Sequence, residues 1–284
     1  VPQISPIENL GEANALFPRG VDGGTVAGAW LGGGLTRAVG PGWGLAIDAL
    51  GFAASAPLYY LIRATSINAS FPQGSVFQDL KEGWTEFSSR SWVWSIVLQF
   101  TVINAAFSGV VMVLGPVIAD TSFGRTNWGI IVAAQSVGLI AGSFLALKWR
   151  PRKDLFIGAI LVAVCAIPIF MLSQLASATW LTAAFFAAGV TFGLFGVSWA
   201  HSLQMQIPQE KLARVYAYDA VGSFVAIPFG ELVAGPLALH YGMSNVLQVS
   251  AVAVVIATVG VSFVPSIRKL DNSSKVIAHK SDSI

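Results

Sequence analysis

Apolar stretches long enough to cross a bilayer alternate with short polar punctuation along most of this chain. No charged residue falls between Ser91 and Ala119 or between Leu155 and Gln209. A spanning helix needs about 20 mostly apolar residues, so the first run holds one span and the second holds two. Over the whole chain the pattern predicts about eight spans. They are Asp22–Val39, Trp43–Ile62, Trp92–Ala119, Thr126–Leu147, Leu155–Leu172, Trp180–Ser202, Tyr216–Leu239 and Met243–Val264. The connections at Gly40–Gly42, Asp120–Arg125, Ser173–Ala178 and His240–Gly242 are short and alternate with longer ones, as a serpentine all-α bundle allows.

Between the second and third spans the pattern changes. Val76, Phe77, Leu80, Trp84 and Phe87 recur at helical spacing, with Asp79, Lys81, Glu82 and Glu86 at other positions. Ser75 followed by Gln78 is a capping-box spacing. A short amphipathic helix is expected here, lying either on the inner membrane surface or on the bundle's own cytoplasmic face.

A second regularity spans the chain. Pro6, Glu8, Leu10, Ala15, Gly20, Gly28, Gly33, Leu35 and Gly40 each recur 202 residues later, as Pro208, Glu210, Leu212, Ala217, Gly222, Gly230, Gly235, Leu237 and Gly242. A constant offset of this kind marks a duplicated unit. The first copy starts almost at Val1, so two equal halves lead to the expectation of about four further helices upstream.

Composition agrees with a membrane protein: 55% hydrophobic, 11% charged and a mean hydropathy of +0.69, where soluble domains carry about 25% charged residues. With the N-terminus placed inside, only Arg37 and Arg125 of the 16 basic residues fall outside. That bias is the positive-inside pattern and puts both termini in the cytoplasm. Because the basic residues follow topology and form no patch interleaved with aromatics, nucleic-acid binding is not expected. Trp43, Trp92, Trp94, Trp128, Trp149 and Trp180 fall at predicted span ends, where indoles suit the headgroup region. The single cysteine, Cys165, lies in an apolar run, which leaves no disulfide framework or metal cluster. His201, His240 and His279 have no ligand partner at metal spacing. No nucleotide-binding glycine loop or nucleophile motif is present, so neither an enzyme nor a cofactor is expected.

Several stretches, taken in order, resemble the major facilitator superfamily, and specifically the bacterial exporter branch that includes enterobactin exporters and macrolide efflux pumps. These are Pro6-Ile7-Glu8-Asn9-Leu10, Gly40-Pro41-Gly42-Trp43 with Ile47-Asp48-Ala49, Leu80-Lys81-Glu82-Gly83-Trp84, Gln99-Phe100 with Asn104-Ala105, and Tyr218-Asp219-Ala220 with Gly222-Ser223-Phe224. The resemblance implies a twelve-helix transporter in two six-helix halves, of which the eight spans are helices five to twelve. On that scheme residues 1–62 are a remnant of the N-terminal half, 63–90 a cytoplasmic linker, 91–265 the C-terminal six-helix bundle and 266–284 a polar cytoplasmic tail.

Gly24, Gly28, Gly32 and Gly33 form a small-residue stripe on the first span, and Gly230, Gly235 and Pro236 repeat it on the seventh. Such stripes allow helix backbones to approach closely. The first also resembles the antiporter signature of proton-coupled exporters, with Ala29 where the family has proline. A charge at mid-span costs roughly 2.5–3.5 kcal/mol on insertion scales, so Glu231 and Asp48 are candidates for proton coupling; the alternatives are a structural hydrogen bond to a neighbouring helix for Glu231 and a helix-packing or gate contact for Asp48. Asp219 is read as a helix cap near the inner surface. Thr101, Asn104 and Ser108 share one face of the third span, with Gln99 off that stripe and Gln135 on the fourth. Gln99, Asn104 and Gln135 are candidates either to line a substrate path or to hold helices together.

The resemblance implies a monomeric, multi-pass protein of the bacterial inner membrane that exports small amphiphilic molecules by alternating access, with proton antiport. The competing expectation is a truncated membrane fragment without transport, serving at most in assembly or partner binding.

Overall fold

The computed structural model describes residues 46, 49–55, 57, 76–149 and 151–271. The chain forms two compact units, Val1–Gln73 and Gly74–Ile284. In the first, residues 49–55 are helical. The predicted first span lies outside the described residues, as do Asp48 and the stripe Gly24, Gly28, Gly32 and Gly33.

The second unit opens with helix α1 (Val76–Ser89). Six helices long and apolar enough to cross a membrane follow among the described residues. They are α2 (Ser91–Thr121), α3 (Arg125–Lys148), α4 (Asp154–Ser173), α5 (Ala178–Gln206), the pair α6 (Gln209–Phe224) and α7 (Ala226–Tyr241), and α8 (Met243–Ser262). These match the last six predicted spans closely, with one shift. The seventh starts at Lys211, five residues earlier than its apolar pattern suggests. Gly124 and Gly242 begin α3 and α8 at φ of 85° and 86°, a left-handed conformation that glycine adopts without a Cβ penalty.

Three prolines set the irregularities of the bundle. Proline lacks an N–H and its ring crowds the carbonyl four residues back. Pro116 acts on Met112, inside a π-helical turn at Gly109–Leu114. Pro168 acts on Val164, inside a 3-10 turn at Val162–Cys165. Pro228 acts on Phe224, where α6 ends and the chain turns at Val225 before α7.

Glycine sets the closest contact. On α3, a Cβ at Gly138 or Gly142 would run into the backbone of Phe186 or Val190. On α5, a Cβ at Gly189 or Gly193 would run into Gln135 or Leu139. Two small-xxx-small spacings, one on each helix, thus let α3 and α5 touch backbone to backbone. Gly230 repeats this on α7, where a Cβ would meet the Ala105 carbonyl. Gly235 meets only Val113, at 4.0 Å, so close approach centres on Gly230.

Tryptophan placement departs from the predicted belt. Trp94, Trp149 and Trp180 are exposed, but Trp92 and Trp128 are buried. Trp92 meets Trp199 edge-on at 5.7 Å and Trp128 meets Phe185 at 5.5 Å. The Trp128 indole occupies space that a Cβ at Gly115 would fill. Both residues sit near span ends but face the bundle, because their neighbours leave ring-sized room.

Helix α1 packs on the start of α6. Lys211 Nζ donates to Glu86 Oε2 at 2.8 Å, Arg214 Nη1 to Glu82 Oε2 at 2.6 Å and the Tyr218 hydroxyl to the Leu80 carbonyl at 2.8 Å. Tyr218 also packs on Trp84 and Phe87, at 5.6 and 5.8 Å between centroids. Of the two placements open to this helix, the bundle's own face is occupied. Leu80 and Trp84 remain half exposed along it.

Candidate functional site

A cavity of about 500 Å³ opens between α2, α3, α5 and the α6–α7 break. Its walls are mainly apolar, aromatic and aliphatic side chains in equal share, with a smaller set of polar groups, the usual make-up of a small-molecule pocket. Phe100 stacks on Phe195 at 4.2 Å between centroids, and Phe195 lies nearly parallel to Trp199 at 6.1 Å. Phe107 and Phe192 meet edge-on at 5.4 Å. Asn104, Ser108, Gln135, Ser136, Asp219 and Ser223 supply the polar part of the lining.

The predicted stripe on α2 points as one unit at the α6–α7 helix. Thr101 Oγ1 donates to the Gly222 carbonyl at 2.7 Å and Asn104 Nδ2 to the Ser223 carbonyl at 2.9 Å. Both carbonyls lie in the last turn of α6, where the proline break disturbs the regular ladder. Ser108 Oγ donates to Glu231 Oε1 in a short contact. Gly109 allows it: a Cβ there would lie 2.9 Å from the Gly230 carbonyl, so α2 and α7 are as close as backbones permit.

Glu231 is half buried and stands one hydroxyl away from the cavity, which Ser108 borders and Glu231 does not. Asn104 and Gln135 border it from opposite helices. Gln99 does not. It is buried and donates to the Ala159 carbonyl at 2.9 Å and to Thr258 Oγ1 at 3.1 Å, joining α2, α4 and α8. Of its two readings, the geometry fits helix cohesion.

Asp219 is the residue the sequence misplaces. Read as a cap at a helix start, it instead lies well inside α6, which begins at Gln209. Trp199 Nε1 donates to its Oδ2 at 2.9 Å and Ser223 Oγ to its Oδ1 at 3.0 Å, and it borders the cavity. The signal that could have found it is helical spacing: Asp219 and Ser223 are four apart, on the face that continues to Ile227 at the cavity. His201 Nδ1 faces Asp154 Oδ2 at 3.3 Å, away from this site.

This arrangement suits reversible binding of an amphiphile: apolar rings for its body, and amides, hydroxyls and a carboxylate for its polar end. No curated protein and no solved structure matches the chain. A family model described as Major Facilitator Superfamily matches residues 1–231. A chain with six helices able to span a membrane among the described residues, matched over that length, belongs to the major facilitator superfamily, a family of membrane transporters.

Proposed function

We propose that this protein exports small amphiphilic molecules across a bacterial inner membrane by alternating access, driven by proton antiport. On this reading it acts as a monomer with both termini in the cytoplasm. The observation that carries the proposal is the pairing of a largely apolar cavity with a carboxylate one hydroxyl away. Glu231 receives the Ser108 hydroxyl, and Ser108 borders the cavity. Exchange of the Glu231 proton through the Ser108 hydroxyl gives substrate occupancy a means to influence its charge. The interruption of the hydrogen-bond ladder at Val225, a residue whose own backbone stays helical (φ −58°, ψ −30°), is the candidate hinge about which the cavity opens and closes.

Everted vesicles carrying Glu231→Gln test the coupling. Insertion and expression should match wild type, uphill efflux driven by a pH gradient should fall to background, and substrate exchange without a gradient should persist, since the amide mimics the protonated acid. Gradient-driven efflux at the wild-type rate would remove Glu231 as the coupling group.

A further inference from the structure

Among the residues that border the cavity, Asp219 alone carries a charge. Its two carboxylate oxygens hold neutral donors, Trp199 Nε1 and Ser223 Oγ. Four other acidic side chains offer a contrast, whereas Glu231, outside the cavity lining, also holds a neutral donor, Ser108. Glu86 holds Lys211 and Arg90, Glu82 holds Arg214, Asp120 holds Arg125 and Asp154 faces His201. No ion pair involves Asp219 among the described residues. A carboxylate accepts at about four lone-pair positions, so two neutral donors leave capacity for a further partner. An unneutralised charge inside a span is expensive, and the group that best offsets it is a cation brought by the ligand.

The walls select the rest of that ligand. The Trp199 indole that donates to Asp219 continues through Phe195 to Phe100 as successive near-parallel rings. Aromatic faces attract cations, most strongly when water is excluded, and offer flat apolar surface beyond. No Lys, Arg or His borders the cavity, so a phosphate or carboxylate ligand finds no counter-charge and meets repulsion from Asp219.

We infer that the cavity binds amphiphilic organic cations, with the charged head at Asp219 and an apolar or aromatic body along Trp199, Phe195 and Phe100. The inference rests on the transport reading for its biological sense, but not for its test.

Two probes of the same shape and opposite charge decide it: tetraphenylphosphonium and tetraphenylborate, measured as saturable, competable binding to the purified full chain in detergent. Wild type should bind the phosphonium and discriminate against the borate. In Asp219→Asn the phosphonium affinity should fall by about tenfold or more, the ratio that 1.4 kcal/mol represents, and the discrimination should narrow, with thermal melting confirming that the variant folds. If the asparagine variant fails to fold, the wild-type charge preference still decides, as does Asp219→Glu, which should retain the preference for the phosphonium. Equal affinity of wild type and a folded Asp219→Asn for the phosphonium, or a wild-type preference for the borate, would overturn the assignment. Either result leaves efflux and its dependence on Glu231 standing, whereas failure of Glu231→Gln to stop gradient-driven efflux leaves the charge preference intact.

Discussion

Two helix contacts in the same bundle are built in opposite ways. α3 and α5 meet through Gly138, Gly142, Gly189 and Gly193, backbone against backbone, with no room for a single Cβ. α2 and the end of α6 meet instead through side-chain hydrogen bonds to carbonyls beside a proline break, although one turn further on, at Gly109 and Gly230, α2 and α7 also touch backbone to backbone. Close-packed backbones have one good arrangement, because any shift either clashes or opens a gap. Hydrogen bonds from Thr, Asn and Ser have alternatives, and inside membranes they average only about 0.6 kcal/mol each. The first contact is a fixed wall and the second is a joint. The cavity lies between them, with Gln135 on the fixed side and Asp219 on the movable one.

The largest effect should come from breaking the wall. Gly189→Leu forces a side chain into the Gln135 carbonyl and the Leu139 amide. Overpacking of this kind costs about 3 kcal/mol or more when backbone has to move. The purified variant should melt at a markedly lower temperature or lose its monodisperse elution. Gly129→Ala, on the same α3 but with nothing within 4 Å of its new Cβ, should behave as wild type. A Gly189→Leu protein that melts normally would show that α3 and α5 are not the rigid element.

The joint should respond differently. Pro228→Ala restores an N–H able to reach the Phe224 carbonyl and removes the ring that crowds it, favouring a continuous helix through Val225. Melting temperature should stay level or rise while the turnover of substrate transport in proteoliposomes falls. Unchanged turnover would mean that the break is not the bend used in transport, and the contrast between wall and joint would lose its functional half.

Much of this was readable from the chain alone, for reasons that differ by residue. Apolar runs bounded by charge set the spans, since bilayer thickness is an external ruler. Thr101, Asn104 and Ser108 fall on one stripe by helical geometry, and that stripe does make three contacts with the α6–α7 helix. Which helix it would face was not readable, because spacing describes one helix and contact needs two. Asp219 was misread because the residues before it, from Gln209 to Tyr218, look like surface sequence. Several of them, Lys211, Arg214 and Tyr218, are polar in order to hold α1, so the helix begins earlier than its apolar pattern. The paired glycines of α3 and α5 are two small-residue spacings in the sequence, and only the structure shows that they face each other. The roles of Asp48, Gly24, Gly28, Gly32 and Gly33 lie outside the described residues.

The smallest effect concerns α1. The Lys211 ammonium, then Arg90, holds the Glu86 carboxyl below the usual carboxylate range. A depressed value means that the clamp contributes fully above the ordinary glutamate range and is lost as pH falls through the lowered one. Hydrogen exchange at α1 amides should therefore stay slow from neutral to mildly acidic pH and quicken only below the usual carboxylate range. Because Lys211 is about half exposed, Lys211→Met should cost about 1 kcal/mol at most, visible as faster α1 exchange with little change in global melting. Equally slow exchange in that variant would place the hold on Tyr218 and its ring contacts.

The clamp also separates two moments in the life of the protein. A membrane chain takes its orientation while it is being inserted, when basic residues near span ends count and acidic ones contribute little. On the orientation proposed above, Arg90, Lys211 and Arg214 belong to that basic signal before they are paired. Once α1 docks, Glu86 pairs with Arg90 and Lys211 and Glu82 with Arg214. On that proposal the same charges serve twice, first in orientation and then in cohesion, so the finished surface is a poor record of how it was laid down.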